Sequence, residues 1–106
     1  GAPTILVLGD IGELGDAAQE EHRKLGEAIA ASGVTVLYTV GELTPVTVAQ
    51  AQASGMQAQA YPDKATLLVA IKDTLASSDD AWYILFKGSR YMRMEQIIDE
   101  LTRQPF

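Results

Sequence analysis

The strongest constraint on the fold is a fourfold alternation between a short apolar run and a stretch with helical spacing. The runs are typical of buried strands and cover residues 4–8, 35–40, 57–61 and 81–86. The third run, QAQAY, is the weakest and is predicted to be an edge strand. The order βαβαβαβα predicts an α/β fold, a Rossmann-like doubly wound, mostly parallel sheet with helices on both faces.

Local capping residues predict where the helices begin. Asp16, with Gln19 three residues later, has the pattern of a capping box. Thr44 followed by Pro45 is typical of an N-cap and first helical position, and Asp63 is predicted to cap the third helix. Apolar stripes then predict the buried side of each helix: Ala18, His22, Leu25 and Ile29; Leu68, Ile71 and Leu75; Met94, Ile97, Ile98 and Leu101.

Two loops carry unusual residues, one after the first strand and one after the fourth. In a doubly wound sheet of order 3-2-1-4 these two strands are neighbours, and the chain reverses direction between them. Ligands of such sheets bind at the reversal, outside the carboxyl ends of the strands. We therefore expect both loops to meet at the site.

Composition limits the classes of function. The chain has 106 residues, no cysteine and a formal net charge of −6. This length suits a single domain over residues 1–106. The negative net charge argues against nucleic-acid binding. No apolar run is long enough for a membrane span. Because the chain has no cysteine, neither a disulfide nor a thiolate metal site can form. The absence of an initiating Met is expected for a domain cut from a longer protein.

The first loop, VLGDIGELGD, has glycines at Gly9, Gly12 and Gly15, whereas a dinucleotide fingerprint has the spacing GxGxxG. Acidic residues lie among and after these glycines. A helix dipole favours an anion by about 0.3–1 kcal/mol, but one carboxylate ~4 Å away repels a phosphate by about 1 kcal/mol in water and about 4 kcal/mol near a protein surface. A pyrophosphate is therefore disfavoured here, and a GxxxxGK[ST] phosphate loop is absent from the sequence.

Asp10 allows two interpretations. At the carboxyl end of the first strand its carboxylate could accept hydrogen bonds from a sugar or hold a metal-bound water, or it could be a turn residue bonding its own loop amides. Glu42 lies where a ribose-binding acid would be, but a solvated loop acid is favoured. His22 lies on an apolar helix face, which favours a packed structural role. No cluster of residues in the sequence predicts a metal site.

The second loop concentrates positive charge. Lys87, Arg90 and Arg93 are three of only eight basic residues in the chain. Gly88 permits close backbone approach, and the amides near Ser89 open a predicted helix, so charge and dipole both favour an anion. The sequence thus predicts an anion site at Lys87, Gly88, Ser89 and Arg90.

Taken together, the segments VLGDIGELG, EEHRKLG, VGE and FKGSRYMRMEQIIDEL resemble the C-terminal domain of the Mur ligase family. The resemblance runs from about Ile5 to Leu101. The family member that the chain resembles joins D-alanyl-D-alanine (D-Ala-D-Ala) to UDP-N-acetylmuramoyl-tripeptide in peptidoglycan synthesis. Each motif is weak alone, but the ordered set is specific.

The resemblance implies a cytoplasmic three-domain enzyme that uses ATP and Mg²⁺. Its N-terminal domain holds the UDP-sugar, its central domain carries the phosphate loop and the Mg²⁺ sites, and this domain closes over them as their partner. Asp10 resembles the aspartate that faces the nucleotide, and Lys87, Gly88, Ser89 and Arg90 resemble the stretch near the incoming dipeptide. The resemblance assigns no catalytic residue to this chain, so the fragment alone is expected to be inactive.

A different class of function remains open from the residues alone. A free-standing module could bind a nucleotide cofactor such as NAD, or it could be a receiver-like domain. Asp10 and Lys87 fit a receiver loosely, although Asp63 resembles a helix cap more than a phospho-acceptor.

Overall fold

The computed structural model describes residues 3–10 and 15–88. It contains four strands, β1 (Thr4–Gly9), β2 (Val36–Val40), β3 (Gln57–Tyr61) and β4 (Tyr83–Lys87). Three helices connect them: α1 (Ala18–Ala30), α2 (Thr44–Ala53) and α3 (Lys64–Ala76). The predicted last helix lies outside the described residues.

All the strand pairs are parallel, in the order β3-β2-β1-β4, which is the order that the sequence analysis assumed without a sequence signal for it. The edge position of β3 agrees with its prediction. In register, Ile5 is opposite Val36 of β2 and Ile84 of β4. The α/β fold class is therefore confirmed by an all-parallel four-stranded sheet.

Alternating residues of the central strands supply a separate core on each face of the sheet. On one face the buried residues come from β1, β2 and α3: Ile5, Val7, Val36, Tyr38, Val40, Leu67 and Ile71. On the other face they come from β1, β2, β3, α1 and α2: Leu6, Leu8, Ile29, Leu37, Val48, Ala51 and Ala58. Successive residues of a strand point to opposite faces of the sheet, so a continuous apolar run such as TILVL contributes to both cores.

The helix starts only partly follow the sequence prediction. Asp63 caps α3 as predicted, accepting a hydrogen bond from the Thr66 N–H at 2.8 Å. Asp16 is not an N-cap, because a 3-10 turn over Gly15–Ala17 leads directly into α1 and places the cap position on Ala17, which has no side-chain cap bond.

Thr44 was also predicted as an N-cap, and this is wrong. The cap position of α2 falls on Leu43, whereas Pro45 lies in the first turn as predicted. The Thr44 hydroxyl instead donates to the Gly41 carbonyl oxygen at 3.1 Å. In α3 the fully buried residues are Leu67 and Ile71, while Leu68 and Leu75 pack at the margin of the same core.

Candidate functional site

The carboxyl ends of the four parallel strands form one edge of the sheet, and the chain reverses direction there between β1 and β4. At this point Gly88 lies against Gly9: a Cβ added to Gly88 would be 3.2 Å from the Gly9 Cα and 3.2 Å from its nitrogen. The approach is tighter than side chains ordinarily allow. The two unusual loops therefore begin side by side, as the sequence predicted.

Asp10 is buried, with 5% of its surface exposed, and both of its carboxylate oxygens accept backbone hydrogen bonds. Oδ2 accepts from the Glu42 N–H at 2.8 Å, and Oδ1 accepts from the Leu43 N–H at 2.9 Å. These amides precede α2, where a negative charge also interacts favourably with the helix dipole. We call this unit, Asp10 with residues 41–43, the Asp10 clasp.

Gly41 makes the clasp sterically possible. Its φ is +137°, a conformation that side chains rarely adopt, and a Cβ built on it would lie 2.5 Å from the Asp10 Oδ1. The loop can therefore close over the carboxylate only because residue 41 has no side chain.

The clasp changes the interpretation of Asp10. Its carboxylate bonds amides 32 and 33 residues away, in the loop after β2. An ionised carboxylate has about four acceptor positions, and the amides of Glu42 and Leu43 occupy two of them. The sequence offered no local signal for these partners, because only the β1–β2 pairing brings the two loops together.

Lys87 and Gly88 are exposed at the end of β4. Lys87 is opposite Leu8 in the sheet register, next to the start of the first loop. Ser89, Arg90 and Arg93 lie outside the described residues, as do Gly12 and the remainder of residues 11–14.

A cleft of about 460 Å³ opens at the carboxyl ends of β2 and β3. It is lined by residues 40–42, Pro45 and 60–62, and we call it the β2–β3 cleft. Among the described residues that line it, the exposed Glu42 is the only acidic one, and none is basic. The Tyr61 ring packs edge-on against Tyr38, with ring centroids 5.6 Å apart. Burial, with smaller contributions from Tyr38 and Asp73, raises the pKa of the Tyr61 phenol, which stays protonated at neutral pH.

His22 is fully buried between α1 and α2, as its position on the apolar face predicted. Its Nδ1 lies 2.7 Å from the Ala18 carbonyl oxygen, and its own carbonyl oxygen accepts from the Thr47 hydroxyl at 2.7 Å. The first contact lies within α1 and the second joins α1 to α2, and together they indicate a structural residue.

Within residues 3–10 and 15–88, no group of three His, Cys, Asp or Glu side chains is arranged to hold a metal ion. In the same part of the chain, no helix is long and apolar enough to cross a membrane.

Comparison with protein families gives one match that spans most of the chain. The family model described as "Mur ligase, glutamate ligase domain" matches residues 2–90. Two similar proteins are UDP-N-acetylmuramoyl-tripeptide--D-alanyl-D-alanine ligases. That of Bacillus subtilis (strain 168) is 33% identical over 104 residues, covering 95% of this chain and 22% of the relative. That of Escherichia coli (strain K12) is 34% identical over 97 residues, covering 92% of this chain and 20% of the relative.

Solved structures show the same fold. A crystal structure of MurF from Acinetobacter baumannii superposes with a TM-score of 0.86 at 28% identity, covering 98% of this chain and 23% of that one. MurF ligase from Thermotoga maritima in complex with ADP gives a TM-score of 0.66 at 20% identity, covering 97% and 22%. The chain thus spans about a fifth of the length of these relatives.

Proposed function

The chain belongs to the Mur ligase family as a glutamate ligase domain, and from that premise we propose that it is the C-terminal domain of a three-domain ligase. The enzyme would use ATP to join D-Ala-D-Ala to UDP-N-acetylmuramoyl-tripeptide in peptidoglycan synthesis. The observation that carries this proposal is the family match over residues 2–90, together with relatives that bear this ligase name. We further propose that the enzyme acts in the cytoplasm, where ATP is available.

In the proposed reaction ATP phosphorylates the tripeptide carboxylate and leaves as ADP. The amine of D-Ala-D-Ala then attacks the acyl carbon, and phosphate departs as the amide bond forms. Both the phosphate groups and the Mg²⁺ would be held by the central domain. Since this domain supplies no reacting group, its contribution is to orient substrates and exclude water when it closes over its partner domains.

The geometry of the strand ends supports two binding roles. Lys87 and Arg90, with the backbone at Gly88 and Ser89, would hold the dipeptide carboxylate, because two basic residues three positions apart in the sequence, the first of them exposed, favour an anion. Asp10 would face the nucleotide and accept a ribose hydroxyl with an acceptor position that the clasp leaves open. The Gly9–Gly88 contact keeps both roles at one edge of the sheet.

The receiver-like and cofactor-binding alternatives lose their support with the family assignment. Asp63, the position that a receiver would need as its phospho-acceptor, uses its carboxylate to cap α3. Its Oδ1 accepts from both the N–H and the hydroxyl of Thr66, at 2.8 and 2.6 Å.

The test uses the full-length protein encoded by the gene for this chain. We expect it to release ADP and phosphate only when UDP-N-acetylmuramoyl-tripeptide, D-Ala-D-Ala and ATP are all present. Arg90→Ala should raise the KM for the dipeptide about tenfold, because a charge-assisted hydrogen bond is lost. The KM for ATP should stay unchanged.

Arg23→Ala is the matched control, since this exposed arginine of α1 pairs only with Glu20 and Glu27 of its own helix. It should leave both KM values unchanged. A full-length protein that consumes no ATP with these substrates would contradict the proposal. So would an Arg90→Ala variant that is impaired toward ATP but not toward the dipeptide.

A further inference from the structure

We propose that Thr44 is a positioning residue of the ligase reaction: it fixes the peptide group between Gly41 and Glu42, and through that group it orients the Asp10 carboxylate. The inference rests on the proposed function, in which Asp10 faces the nucleotide. It gives Thr44, the first residue of α2, an effect on nucleotide binding that is exerted through Asp10.

The peptide group between Gly41 and Glu42 is held from two sides. On one side the Thr44 hydroxyl donates to the Gly41 carbonyl oxygen at 3.1 Å. On the other side the Glu42 N–H donates to the Asp10 Oδ2 at 2.8 Å. In a planar trans peptide the carbonyl oxygen and the amide hydrogen point in opposite directions, so any rotation of the plane moves both at once. Loss of the Thr44 bond is therefore expected to disturb the Asp10 bond.

Gly41 makes the orientation of this peptide group depend on its hydrogen bonds. With a φ of +137°, residue 41 adopts a conformation that only glycine reaches readily, and glycine restricts its neighbouring peptide planes less than any other residue. The backbone alone therefore does not fix the plane. The bonds to Thr44 and Asp10 supply the restraint that a side chain at residue 41 would otherwise give.

Burial makes the Thr44 hydroxyl difficult to replace. Thr44 is fully buried and Asp10 is 5% exposed, so bulk water has little access to either end of the peptide group. A hydrogen bond donated to the carbonyl also polarises the peptide and strengthens its N–H as a donor. The hydroxyl therefore both aims the Glu42 N–H and strengthens its bond to Asp10.

The same helix contains a matched control. Thr47 is also fully buried, and its hydroxyl also donates to a backbone carbonyl, that of His22 in α1, at 2.7 Å. This bond joins α2 to α1 and lies outside the Asp10 clasp. Thr44→Val and Thr47→Val each remove one buried hydroxyl at nearly constant volume, so comparing them separates positioning of Asp10 from a general loss of stability.

The first test measures steady-state ligation by the full-length protein. Thr44→Val should raise the KM for ATP about three- to tenfold and leave the KM for D-Ala-D-Ala unchanged. Thr44→Ser retains the hydroxyl and should restore the wild-type KM for ATP, and Thr47→Val should leave both KM values unchanged. An equal rise in the KM for ATP in Thr44→Val and Thr47→Val would overturn the inference, because it would reduce Thr44 to a structural role.

The second test does not depend on ligation. Amide hydrogen exchange of the 106-residue chain, followed by NMR, reports directly on the Glu42 N–H. Thr44→Val should accelerate exchange of this amide about tenfold, and Thr47→Val should not. An unchanged exchange rate in Thr44→Val would contradict the claim that Thr44 fixes the peptide group.

The two tests distinguish failure of this inference from failure of the ligase proposal. If wild-type full-length protein ligates and Thr44→Val changes neither the KM for ATP nor the Glu42 amide, the inference about Thr44 fails and the ligase proposal stands. If wild-type protein does not ligate while Thr44→Val still releases the Glu42 amide, the ligase proposal fails and the control of the Asp10 clasp by Thr44 stands.

Discussion

Two aspartates at the same edge of the sheet hold the starts of two helices in different ways. Asp63 is exposed and caps α3, bonding Thr66 three residues later. Asp10 is 5% exposed and bonds the amides before α2 from a separate strand, 32 and 33 residues away. One is a local cap that any isolated helix could use, and the other exists only after the sheet has formed.

Both carboxylates accept hydrogen bonds from backbone amides, but the loss of each is expected to affect the protein differently. A local, solvated cap affects one helix and can be replaced by water. A buried cap from another strand joins two loops, so its loss leaves two amides without a partner and separates the segments that border the candidate site. The clasp is therefore expected to control both stability and the shape of the β2–β3 cleft.

The largest effect should come from Asp10→Ala. Losing the acceptor for two partly buried amides should lower the free energy of unfolding by about 2–4 kcal/mol, measured by urea denaturation. Asp79→Ala, at an exposed position, is the control and should stay within about 0.5 kcal/mol of wild type. An Asp10→Ala protein as stable as this control would show that the clasp contributes nothing to the free energy of unfolding.

A smaller loss, about 1–3 kcal/mol, is expected for Gly41→Ala, because the new Cβ meets both an unfavourable φ and the Asp10 carboxylate. Gly33→Ala isolates the backbone contribution, since Gly33 has a φ of +89° but nothing within 4 Å of an added Cβ. Thermal unfolding of both variants makes the comparison. If Gly41→Ala and Gly33→Ala lower the stability equally, the contact of the new Cβ with Asp10 adds nothing to the cost of the unfavourable φ.

The smallest effect concerns Asp63 and appears as a pH dependence. The hydrogen bond from the Thr66 side chain, and to a smaller extent the one from the Thr66 backbone N–H, holds the pKa of Asp63 below its ordinary value of 3.8. A lowered folded-state pKa stabilises the protein above the ordinary value, and this stabilisation is lost as the pH falls through the folded-state pKa.

Asp63→Asn retains a capping side chain but does not titrate. We therefore expect wild type to lose stability relative to Asp63→Asn as the pH is lowered from about 5 to below the ordinary pKa of aspartate. Urea denaturation at several pH values measures this difference. A difference that does not change with pH would contradict the assignment of Asp63 as a titrating cap.

Features that depend on neighbouring residues in sequence were predictable. The apolar runs predicted four parallel strands, and Asp63 was predicted as a cap because its partner is three residues away. The Asp10 partners and the β2–β3 cleft were not predictable, since both are formed by loops that only the sheet brings together. Asp16 and Thr44 failed as caps because a 3-10 turn and the long-range clasp replaced local capping.

The strand order also has a consequence for the time course of folding. β1 pairs with β2 across 31 residues, from Ile5 to Val36, but with β4 across 79, from Thr4 to Tyr83. Contacts between residues far apart in the sequence are slow to form, because the entropy of closing a longer loop is lost before the pairing contributes any stability. We therefore expect β1, β2 and β3 to assemble with the clasp first, and Lys87 to reach its place opposite Leu8 only in the last step.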